Sequence, residues 1–141
     1  MTTLRLERSF AAPPERVFTA FLEPESLAEW WGPAGFTAAV LQLDARVGGR
    51  YRFEMHPPDG APFRLGGEFR EIEPPHRLVY TFAYEEPDPD DRETTVTLAF
   101  EPHGDGTRLV FEQGQFATDA RLELHREGWT DTLDRLAAFL P

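Results

Sequence analysis

The sequence predicts an α+β domain in which a curved, seven-stranded antiparallel sheet wraps a long C-terminal helix. Three observations carry this. Seven segments read as strands, several of them alternating apolar and polar residues with period two. One apolar stripe at steps of three and four closes the chain, from about Asp119 to Leu140. Between the first and second strands lie two short proline-led segments with helical spacing.

Leu4 to Phe10 alternates cleanly, and Ala11-Ala12-Pro13-Pro14 ends it. Glu15 to Leu22 carries Val17, Phe18, Phe21 and Leu22 on one helical face, and Pro24 opens a second helix that runs to Trp30. Gly32-Pro33 stops that helix. Strands then follow at Phe36–Leu43, Arg50–His56, Arg64–Ile72, Leu78–Tyr84, Thr94–Phe100 and Thr107–Gln113. Their turns are marked by Gly48-Gly49, Pro57-Pro58-Asp59-Gly60, Pro74-Pro75, the acidic stretch 85–92 and Gly104-Asp105-Gly106. Neighbouring strands should pair as hairpins. The glycine pairs 48–49 and 66–67 read as bulges that bend the sheet. Leu122, Trp129, Leu133, Leu136 and Leu140 form the stripe of the last helix, and sheet and helix each have one apolar face to hide.

With 141 residues the chain has the size of one domain, 1–141, and can bury a core without staples. It has no cysteine, which excludes disulfides, thiolate metal sites and thiol nucleophiles. It has no lysine, so Schiff-base chemistry is excluded as well. A net charge of −11 repels phosphate backbones and disfavours nucleic acid. Neither a signal-like N-terminus nor a spanning apolar run is present, so a cytoplasmic chain without membrane insertion is expected. The four histidines are scattered without metal-type spacing, and the acidic stretch lacks the pattern of a calcium loop and reads as solvated. No metal and no cofactor is expected. The two serines, Ser9 and Ser26, sit in no nucleophile context.

Ala12-Pro13-Pro14-Glu15-Arg16-Val17-Phe18, Trp30-Trp31-Gly32-Pro33 and Gly48-Gly49-Arg50-Tyr51 resemble the START-like (SRPBCC) superfamily, in the branch of homologues of the activator of the heat-shock-protein-90 ATPase. Gly67-Glu68-Phe69, Glu73-Pro74-Pro75-His76-Arg77-Leu78, Gly106-Thr107-Arg108-Leu109 and Gly128-Trp129 follow in the same order as in that branch. The resemblance covers nearly the whole chain. It implies a helix-grip fold with a ligand cavity between sheet and last helix, and members that bind lipids, polyketides, hormones or other apolar molecules.

A bent sheet gripping one helix leaves more space than side chains easily fill. Tyr51, Phe53, Met55, Phe69, Tyr80, Phe82, Phe111, Trp129 and Leu133 fall on inner faces, and Trp30, Trp31 and Phe36 stand where helices and sheet meet. Each of these side chains alone is explained by core packing; the set predicts an apolar pocket. Of the adjacent tryptophans one should point inward and the other stand at the mouth, beside a Gly32–Gly35 lid. Gln113 extends the alternation of Leu109 and Phe111 inward, where its amide either meets a ligand or reaches water at the strand end. Tyr80 and Tyr84 add hydroxyls that can orient a ligand, and Gly128 signals close packing or room for one. The expected occupant is a small apolar molecule. A protein-interaction module acting on a chaperone, and a cyclase-like or hydrolytic enzyme using the same cavity, are the two rival readings, with catalysis the less favoured and no catalytic residue assigned. Exposed strand edges are compatible with a homodimer.

Overall fold

The structure is a computed structural model that describes residues 2–140; Met1 and Pro141, the ends of the expected 1–141 domain, lie outside the described residues. Strand β1 (Leu4–Phe10) leads into α1 (Pro14–Ala20) and α2 (Pro24–Trp30). Six strands follow: β2 (Thr37–Leu43), β3 (Arg50–His56), β4 (Phe63–Glu73), β5 (Arg77–Tyr84), β6 (Thr94–His103) and β7 (Gly106–Gly114). Helix α3 (Asp119–Phe139) ends the chain. Both short helices carry proline in the first turn, where its missing N–H costs nothing. Thr118 caps α3 by accepting the Arg121 backbone N–H at 3.1 Å.

The sheet is antiparallel throughout, in the order β1-β7-β6-β5-β4-β3-β2. Its edges are therefore β1 and β2, and the α1–α2 segment joins one edge to the other. The result is the helix-grip arrangement: a curved sheet, a long helix against it, and two short helices between the edge strands. Burial alternates along β3, with Tyr51, Phe53 and Met55 inside. The expected spans agree to within three residues at each end.

The glycine pairs differ from expectation. Register shifts fall between Val40 and Gln42 and between Phe69 and Glu71, not at the glycines. Gly67 is needed for close approach instead: a Cβ there would stand 1.9 Å from the Thr81 carbonyl oxygen. Gly48 and Gly49 tie the β2–β3 turn to β4 through paired backbone bonds with Phe69, each 2.9 Å.

One half of the interior is filled. Phe18 and Phe21 pack edge-on against Phe100 at 5.1 and 5.6 Å, and Phe21 meets Trp30 at 4.9 Å. Trp30 is fully buried there and donates its indole N–H to the Ala20 carbonyl at 3.3 Å. The 85–92 stretch is not simply solvated. Arg121 of α3 is mostly buried beneath it and pairs with Asp88, Asp90 and Asp91 at 2.7, 3.0 and 3.3 Å.

Candidate functional site

The opposite end of the interior is open. A cavity of about 330 Å³ lies between the first half of α3, the adjoining ends of β3, β4 and β5, and residues 31–36. Its wall is a continuous series of aromatic contacts. Trp129 meets Trp31 edge-on at 5.7 Å, and Trp31 stacks on Phe82 at 6.5 Å. Phe82 meets Tyr84 at 5.4 Å, Tyr84 meets Phe63 at 5.9 Å, and Phe63 meets Phe36 at 6.3 Å. Such edge-to-face and stacked pairs are favourable geometries, so the wall holds its own shape. Met55 and Leu65 complete the sheet side. Phe63 and Leu124, two of the few exposed large apolar residues, stand at the mouth.

Two backbone features make the space. Gly32 has φ of +113°, a conformation that favours glycine, and lets the chain leave α2 and fold over the opening. Arg135 of α3 then fastens that segment by donating to the carbonyls of Gly32, Pro33 and Phe36 at 3.0, 3.1 and 3.0 Å. On α3, Gly128 faces vacancy: a Cβ there would meet only Pro33, at 3.5 Å.

The polar groups are few. His125 and Tyr84 face each other on the wall, with the hydroxyl 3.4 Å from Nε2, and which group donates follows the histidine tautomer. Burial pushes His125 down to about 4, against a smaller upward pull from Asp91. It is therefore neutral at physiological pH. Burial likewise pushes the Tyr84 hydroxyl up to about 12. The charged residues that line the cavity are both carboxylates, Glu127 and Asp131. Among the described residues no group of three or more histidines and carboxylates is arranged to hold a metal ion.

The thirteen side chains singled out in the sequence divide into groups. Trp31, Phe36, Met55, Phe82 and Trp129 line the cavity. Tyr51, Phe53, Phe69 and Tyr80 lie beyond Trp31 around a void of only about 20 Å³, where Tyr51 packs on the other three at 5.1 to 5.7 Å. The Tyr51 hydroxyl is spent on the Thr81 carbonyl at 2.6 Å. Phe111 lies behind Trp129, 4.4 Å from it, Leu133 is buried in the core, and Trp30 belongs to the filled end.

Gln113 reaches neither the cavity nor the protein surface. It is fully buried, donates to Thr94 Oγ1 and accepts the Trp129 indole N–H, both at 2.9 Å. It positions a cavity wall rather than forming one. Sequence reasoning missed Phe63, Leu65, Leu124 and Thr132 as lining residues. A usable signal existed on the helix: His125, Gly128 and Thr132 lie at steps of three and four and share a face with Trp129.

The described residues contain no helix long and apolar enough to cross a membrane. No curated protein matches the chain. Solved structures do. Protein CV1439 from Chromobacterium violaceum is 37% identical, with 99% of this chain and 96% of that chain covered and a TM-score of 0.90. The AHSA1 (SPO3351) protein from Silicibacter pomeroyi is 34% identical over 96% of this chain and 95% of that one, with a TM-score of 0.83. Protein Ms6760 from Mycobacterium smegmatis is 28% identical over 99% and 91%, with a TM-score of 0.85. The sequence profile of Activator of Hsp90 ATPase homolog 1-like protein matches residues 11–141. With a fold, chain length and sequence pattern in common with these proteins, the chain belongs to the Activator of Hsp90 ATPase homolog 1-like family.

Proposed function

We propose that this protein binds a small, mostly apolar molecule in the cavity between the sheet and α3. The observation that carries the reading is the unbroken series of six aromatic rings around about 330 Å³ of space. A volume near the lower end of the range for ligand pockets, about 300–1,000 Å³, suits a compact molecule of one or two rings. Apolar burial supplies the affinity, at about 25 cal/mol per Å² removed from water. The neutral Tyr84–His125 pair supplies one point of polar orientation. The fold itself, in its AHSA1-like SRPBCC form, often binds ligands or partners.

The test is native mass spectrometry of the purified protein for a retained small molecule, followed by calorimetric titration with naphthylethanol as a neutral probe. Binding to the wild type that is lost in Gly128→Leu, whose side chain projects into the cavity, supports the reading. Absence of both a retained molecule and probe binding overturns it.

A further inference from the structure

Resting on the cavity reading above, we propose that the natural occupant is a hydrophobic cation, an amine or ammonium group carried on an apolar body. The charged side chains that line the cavity have one sign. Glu127 and Asp131 lie one helical turn apart on α3, both line the cavity, and neither forms a salt bridge among the described residues. Asp131 makes only a long contact, accepting the Ala34 backbone N–H at 3.3 Å.

No basic side chain balances them from within the cavity. Among the described residues His125 is the only basic group on the wall, and it is neutral at physiological pH. Arg121, on the same helix, is taken up by three aspartates of the 85–92 loop. Arg135 stands behind residues 32–36 with its guanidinium directed to their carbonyls, so it offsets part of the negative potential without reaching the cavity. An anionic ligand would thus meet two carboxylates and no free cation. A fatty acid or other carboxylate is the wrong occupant on charge alone.

The aromatic faces point the same way. Rings attract cations through their quadrupole, more strongly when the site is desolvated. Elsewhere on this protein that attraction is already satisfied internally: Arg8 sits over Phe10 and Arg16 over Phe139. Among the described residues no arginine sits over Trp31, Trp129, Phe82 or Tyr84, all four of which line the cavity. A cation whose body lies among the rings and whose charge lies toward the Glu127–Asp131 edge satisfies both features at once.

The experiment compares three probes with one naphthyl body by calorimetry at neutral pH: naphthylethylamine, naphthylethanol and naphthylpropionic acid. The amine should bind about tenfold tighter than the alcohol, and the acid about tenfold weaker. The double variant Glu127→Gln/Asp131→Asn should erase most of the margin of amine over alcohol. Raising the salt concentration should shrink the same margin. If the alcohol binds and the amine has no advantage, or the acid binds best, the cation is rejected and the cavity reading stands. If none of the three binds and native mass spectrometry finds no retained molecule, the cavity reading fails and this inference fails with it.

Discussion

Trp129 on α3 donates its indole N–H to the side-chain carbonyl of Gln113 on β7 at 2.9 Å, joining the helix to the sheet behind the cavity. Gln113 in turn donates to Thr94 on β6, so a single amide connects three elements. Replacing it with the similarly shaped methionine strands the Trp129 N–H in an apolar setting. Gln113→Met should cost about 1–3 kcal/mol in denaturant unfolding, with probe affinity falling only slightly. The opposite pattern, unchanged stability and lost affinity, would make Gln113 a ligand contact.

Gly128 separates helix stability from cavity volume. A methyl group there meets only Pro33, in ordinary van der Waals contact. Gly128→Ala should therefore stabilise the protein by about 1 kcal/mol, the usual helical cost of glycine. A larger side chain fills the space instead. Urea midpoints for the alanine variant and naphthylethanol titration of the leucine variant check the two halves independently.

His125 sets an acid-side dependence. Its folded value, about 4, lies below the ordinary 6.5, so the unfolded chain takes up the proton first. The stability due to a neutral His125 is complete above the ordinary value and is lost as pH falls from there toward the folded value. Between about pH 7.5 and about pH 5 the wild type should lose about 2 kcal/mol that His125→Gln does not lose. The exposed carboxylates lowered by arginine partners, such as Glu7 and Glu54, act only at lower pH. Parallel unfolding curves for the two proteins over this window would contradict the burial of a neutral imidazole.

Arg121 holds the acidic loop on the helix. Its guanidinium is mostly shielded and shared by three aspartates, unlike the half-exposed surface pairs. Arg121→Gln should cost about 1–2 kcal/mol, allowing for partial exposure of the partners. It should also speed amide hydrogen exchange in residues 86–92, whereas Arg77→Gln, which breaks an exposed pair with Glu71, should leave that exchange unchanged.

The fold was legible where one physical rule dominates. The residues of β3 alternate without interruption, and its ends were read correctly because Gly48-Gly49 and Pro57-Pro58 bracket it. The expected strand Arg64–Ile72 begins one residue after β4 does. Phe63 was thereby lost from the cavity wall. Leu65 was hidden differently: its inward neighbour is Gly67, which contributes no apolar signal to the alternation. The site was only half legible for a deeper reason. Inward direction is a property of a strand, but which inward residues touch one another and which face empty space depends on the curvature of the sheet. Periodicity cannot distinguish Tyr51 and Phe69, which pack on each other, from Phe82, which faces the void. Nor does an inward amide reveal whether its partner is a ligand or, as for Gln113, another side chain.

Trp31 belongs to both the large cavity and the small void beyond it, with Phe53 5.0 Å away on the far side and Trp129 5.7 Å away on the near side. Its indole is a partition, and how far a guest can reach depends on that one plane. A compact guest stops against it; a longer one must swing it aside and break its contacts with Phe53, Phe82 and Trp129 together. Tolerance for guest length should therefore end in a step rather than a slope, and a smaller residue at this position would move the step.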